Sequence, residues 1–134
     1  MQAGWWREVT LALCLGGFLT GGLAAQEGAW QGQKDHPRLR ATLQDKDKNA
    51  KNHAAVVEVE TQNVGLVDVG APGYGGNDVG ILEYQIDQDP PVVTEDTRVM
   101  FRDLSSGKHT VTVSLLNTQY KEMGAKAKLD VEVP

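Results

Sequence analysis

A chain of 134 residues with 18 acidic against 13 basic side chains, net charge −5, has room for one domain and repels nucleic acid and anionic membrane surfaces. Its basic residues are interleaved with acids, so it lacks the clustered patch that a polyanion requires. The only cysteine, Cys14, rules out a disulfide framework and any multi-cysteine zinc shell.

Residues 11–25 read LALCLGGFLTGGLAA, apolar, small and uncharged. A run of this kind near the start of a chain predicts a secretory signal peptide over residues 1–25, with Gly22 and Ala24 at the sensitive positions for cleavage after Ala24. It is too short and glycine-rich for a membrane-spanning helix; a retained anchor is the other reading. A lipoprotein signal places a small residue before its cysteine, and here Leu13 precedes Cys14. Cys14 is therefore expected to leave with the signal. The mature protein is then secreted or periplasmic, free of membrane, and held by its core alone.

Residues 26–36 form a polar, glycine- and glutamine-rich stretch that predicts a flexible leader, with Trp30 exposed or, as the alternative, docked on the domain. A single domain is predicted over residues 37–134. Leu39, Ala41 and Leu43 alternate with Arg38, Arg40 and Thr42, the period of two that marks a strand with one wet face. Residues 45–53, dense in alternating charge, read as a solvated loop, with a short helical turn as the alternative. Val57 and Val59 then share a strand face opposite Glu58 and Glu60, and Gly65 suggests a break. Four glycines and a proline at residues 70–78 exclude helix and strand and predict a long loop.

Leu82, Tyr84 and Ile86 mark the next strand, ended by Asp89-Pro90-Pro91 because proline lacks the ladder N–H. Val92 and Val93 start a short edge strand, and Val99 and Phe101 share a face beyond it. Residues 105–108 predict a hairpin turn with Gly107 supplying the positive φ. Val111, Val113 and Leu115 face inward after it, and Thr110, Thr112 and Ser114 outward. Residues 117–127 read as a loop, and Leu129, Val131 and Val133 as a closing strand. About seven short strands with turn signals between them, and no amphipathic helix, predict an all-β antiparallel sandwich.

The run from Leu82 to Asp87 and the motif Leu104-x-x-Gly107-x-His109-Thr110-Val111-x-Val113 resemble those of bacterial immunoglobulin-like or fibronectin-III-like modules. More narrowly, residues 52–134 resemble a family of small exported bacterial domains of unknown function. The resemblance implies an immunoglobulin-like sandwich. Relatives with paired histidines on the tyrosine strand, and one in a later loop, would imply a transition-metal role. Here Ile81, Glu83 and Tyr120 stand at those places.

Candidate chemistry is sparse. His53 and His109 are the candidate metal ligands, with His36 too far along the leader end. Asp87, Asp89, Glu95 and Asp96 form an acidic turn region without the spacing of a calcium loop. No nucleophile elbow occurs, and Ser105-Ser106 lies in a turn with no predicted base. The glycine loop lacks the Lys-Ser/Thr of a phosphate loop. Tyr74, Asn77 and Asp78 are candidate recognition residues on it. The expected function is a non-catalytic, monomeric binding or structural module of the cell envelope, without cofactor, whose partner is an unidentified envelope protein or small ligand. The alternative is a periplasmic copper- or zinc-binding protein.

Overall fold

The computed structural model describes residues 27–68 and 78–134. The predicted signal segment, Tyr74 and Asn77 lie outside them. Among the described residues eight strands run in chain order: β1 (Arg38–Gln44), β2 (Ala55–Gln62), β3 (Gly65–Leu66), β4 (Val79–Ile86), β5 (Val92–Thr94), β6 (Arg98–Phe101), β7 (Gly107–Leu116) and β8 (Glu122–Val133). One short helix, α1 (Lys46–Lys51), joins β1 to β2. Among the described residues no helix is long and apolar enough to cross a membrane.

The strands form two sheets, β1-β2-β6 and β3-β4-β7-β8, with β5 also paired to β4. Chain-order connectivity therefore places the first, second and sixth strands opposite the fourth, seventh and eighth. That is the A-B-E against C-F-G division of immunoglobulin-like sandwiches. Every pairing is antiparallel except the two-residue β3–β4 contact.

Alternation builds the core. Leu39 and Ala41 of β1 and Val57 and Val59 of β2 face Leu82, Tyr84 and Ile86 of β4, Val111, Val113 and Leu115 of β7, and Ala125, Ala127 and Leu129 of β8. Register aligns these rows, with Ala41 opposite Val59, Tyr84 opposite Val113 and Val111 opposite Leu129. Tyr84 is wholly buried, yet its hydroxyl donates to the Asp96 carbonyl at 2.6 Å, so its one polar group is satisfied at the sheet margin.

Four local expectations change. Residues 45–53 are not a loop: α1 occupies most of them. Its one buried side chain, Ala50, packs on Ala55, Val131 and Val133, a contact no periodic pattern could announce. Residues 117–127 are not all loop, because β8 begins at Glu122. Ala125 and Ala127 take inward positions there, small enough to escape notice as core residues. The ladder shifts register between Ser114 and Leu116, where the chain bulges.

The predicted hairpin at residues 105–108 is a corner between sheets. β6 ends at Phe101 in one sheet and β7 starts at Gly107 in the other. A tight turn would keep both strands in one sheet, whereas residues 102–106 cross the ~10 Å between layers. Asp103 and Gly107, with φ of 57° and 122°, supply the bends. Finally, the stretch read as a leader binds β1 from Gly28 onward. Gly28 N–H donates to Ala41 O at 2.9 Å, and Gln31 and Leu39 exchange two backbone bonds. Trp30 lies against the guanidinium groups of Arg38 and Arg40, 5.5 and 4.8 Å from its ring centre, rather than free in solvent.

Candidate functional site

The two candidate histidines meet at the β6–β7 corner. His109 stands near the start of β7, its side chain only 10% exposed. Its Nδ1–H donates to Asp87 Oδ2 at 2.6 Å, and its Nε2–H to the Ser105 carbonyl at 2.7 Å. A carboxylate and a carbonyl are both acceptors only, so the two bonds are made together when both ring nitrogens carry protons, in the imidazolium form. The hydrogen bond to Asp87 raises the His109 pKa above its ordinary value, the Ser105 carbonyl adds to this, and partial burial opposes it. Asp87 shows the converse. The bond from His109 and that from Thr110 N–H, 2.9 Å from Oδ1, hold its carboxyl below the usual range.

His53 sits just before β2, with φ of 55°. Its Nδ1–H donates to Leu104 O at 2.8 Å, while Leu104 N–H donates to His53 O at 2.9 Å. Two histidines thus hold two successive carbonyls of one corner. In antibody-type sandwiches a tyrosine near the start of strand F makes the equivalent bond to backbone upstream. Here His109 reaches four residues back to Ser105, and Asp87 at the end of β4 fixes the ring.

This arrangement includes serine, histidine and aspartate, with Ser105 Oγ 3.4 Å from His109 Nε2. Its geometry differs from that of a nucleophilic triad. A general base needs a free nitrogen lone pair facing the hydroxyl. His109 Nε2 is directed at the Ser105 carbonyl, 2.7 Å away against 3.4 Å to the hydroxyl. Sequence reasoning missed the cluster. The Ser105-x-x-x-His109 spacing was visible, but Asp87 lies 22 residues before His109, at the end of another strand.

A crevice of about 360 Å³ opens beside the corner, bordered by Asp87, Asp89, Arg102, Asp103 and His109. Among the described residues no group of three or more His, Cys, Asp or Glu side chains is placed to hold a metal ion. His109 has no lone pair to offer while it holds Asp87 and Ser105; His53 keeps Nε2 unengaged among the described contacts. Asp87 is engaged, and Asp96 serves Tyr84 through its backbone. His36 lies apart, its carbonyl accepting from Asn63.

Asp78 is exposed and immediately precedes β4, where its carbonyl accepts from Gly65 N–H at 2.7 Å. Asp87 immediately follows β4. The recognition candidate and the histidine corner therefore occupy opposite ends of one strand, roughly 25–30 Å apart at ~3.3 Å per residue. No family model matches the chain, and no curated protein or solved structure matches it. Fold and corner together define a class only: a two-sheet, all-β sandwich whose polar cluster holds its own backbone.

Proposed function

We propose that this chain is an exported, non-catalytic β-sandwich protein, a binding or structural module of a bacterial cell envelope related to immunoglobulin-like domains. The observation that carries the reading is His109. Both of its nitrogens are occupied by structural acceptors, which leaves the most catalytic-looking cluster without a base. Export is supported by the uncharged apolar run of residues 11–25 and its small residues at Gly22 and Ala24. Recognition is assigned to the 70–78 segment with Tyr74, Asn77 and Asp78, for an envelope protein or small ligand, without cofactor.

N-terminal sequencing of protein recovered from the periplasm or medium tests the export claim, and a start at Ala25 or Gln26 is expected. Protein found only in the cytosol with Met1 intact overturns it. Capture from envelope extracts, with and without residues 70–78, tests recognition: a partner retained equally by both forms removes the loop from the proposal. A copper or zinc role demands that His109 release Asp87 or Ser105. Titration with either ion, followed through the imidazole NMR signals, is expected to leave His109 unmoved. Binding tighter than millimolar with His109 displaced would replace the present reading.

A further inference from the structure

Two histidines pin neighbouring residues of the corner, and the two pins differ in what they require of the ring. Leu104 N–H donates to the His53 carbonyl at 2.9 Å, and His53 Nδ1–H donates to the Leu104 carbonyl at 2.8 Å. One ring proton suffices for that pair, so a neutral His53 holds Leu104. The Ser105 carbonyl is held by His109 Nε2 at 2.7 Å, while Nδ1 of the same ring meets Asp87 Oδ2 at 2.6 Å. Two acceptors on one ring take two ring protons, so this second pin exists only in the charged form.

Removing one proton decides between the two His109 bonds. The Nδ1 proton stays, because its acceptor is a carboxylate fixed from the other side by Thr110 N–H at 2.9 Å, whereas the Ser105 carbonyl is neutral. Nε2 then turns a lone pair toward a carbonyl oxygen 2.7 Å away, acceptor against acceptor. The ring has little room to retreat, with its side chain 10% exposed and tied through Asp87 to the end of β4. Ser105 has room: it is exposed, it lies between β6 and β7, and it borders the crevice of about 360 Å³.

We propose that the β6–β7 corner is a proton-operated latch: charged His109 holds the Ser105 carbonyl, and neutral His109 releases it into the crevice while Leu104 and both sheets stay in place. The charged groups around the ring set the pH of release. Asp87 and Asp89 face it from the turn after β4, and Arg102 and Asp103 from the corner. Lys108 precedes it on β7, and the groove on its other side is bordered by Asp130 and Glu132 of β8 and Lys46 and Asp47 of α1. Acids outnumber cations in this surround, which favours the charged ring. The latch stands apart from the envelope role, since it needs only the corner itself.

NMR of the labelled protein from about pH 5 to about pH 9 tests it. The Ser105 carbonyl carbon and the Ser106 amide nitrogen are expected to shift with the same midpoint as the His109 ring. Exchange protection of the Leu104 and Val113 amides, corrected for the intrinsic effect of pH, is expected to stay level across that midpoint. Asp87→Asn removes the carboxylate and should lower the ring and Ser105 midpoints together, by about half a pH unit or more. His109→Tyr donates through a phenol over the whole range, so its Ser105 signals should stay flat. A Ser105 carbonyl that ignores the His109 titration overturns the proposal. So does a Ser105 transition that D87N leaves in place or that persists in H109Y. Loss of Leu104 protection at the same midpoint would replace the latch with unfolding of the whole corner.

Discussion

His109 converts a polar contact into a pH-dependent one. Its folded pKa lies above the ordinary 6.5, so its contribution to stability is full below that pH and fades as pH rises through the folded value. Asp87 lies below its ordinary 3.8, so its contribution is present above that pH and is lost as pH falls through the lower folded value. The pair is fully effective only between these limits. Replacing Asp87 with Asn is expected to cost about 1 kcal/mol near pH 5, modest because the carboxylate is 40% exposed. The difference from wild type shrinks above neutrality, which urea titration at a series of pH values measures. His109→Tyr separates anchoring from charge. A phenol can still donate to the Ser105 carbonyl, so this variant should hold the corner but lose the pH response above pH 6.5. Stability that still tracked pH there in the tyrosine variant would assign the titration to another group. Tyr84 works by the opposite means: burial, then the charge of Asp96, pushes its phenol above the ordinary value and keeps it a neutral donor.

At the level of elements, close approach rather than alternation decides several outcomes. Gly80 lies in β4 where an added Cβ would stand 2.8 Å from Leu116 O and 3.2 Å from both Met123 Sδ and Val64 Cγ2. The backbone oxygen cannot yield, so Gly80→Ala is expected to cost about 1–3 kcal/mol in thermal or urea unfolding. An unchanged midpoint would show that β7 shifts freely there. The inward rows of β2, β4, β7 and the second half of β8 were legible in the sequence because large aliphatic residues recur every second position. The first half of β8 was not, since its buried residues there, Ala125 and Ala127, are small and follow a glycine with positive φ. α1 was legible only as the alternative to a loop, because its single buried Ala50 carries no period. His53 and His109 were recognisable as candidates, but their use on Leu104 and Ser105 depends on a crossing between sheets that local pattern cannot distinguish from a hairpin. The docking of Trp30 likewise follows from two arginines of β1 lying on the outer face, beyond the reach of the leader's own composition. Trp30→Ala should therefore cost about 1 kcal/mol, and the fluorescence of the wild-type residue should change on unfolding.

For the molecule as a whole, the interior joins the β3 end of β4 to the histidine corner. The Leu82, Tyr84, Val113 and Leu115 side chains are wholly buried between the layers, in a domain without a disulfide among its described residues. Leu115→Ala is expected to remove about 2–5 kcal/mol, a large part of the ~5–15 kcal/mol typical of a small domain. A urea midpoint lowered without a change in slope marks that as lost packing. The same close packing should keep the ends energetically separate. Gly80 and Asp87 lie at opposite ends of β4, roughly 20 Å apart at ~3.3 Å per residue, and share no bonding partner. The double variant G80A/D87N is expected to lose the sum of the single losses to within about 0.5 kcal/mol. Coupling well beyond that would mean strain at the β3 end travels along β4 to the histidine corner. A ligand held by residues 70–78 could then alter the His109–Asp87 pair from the far end of the sandwich. Additivity instead leaves the corner as a fixed support, with any recognition at the 70–78 end free to vary without destabilising it.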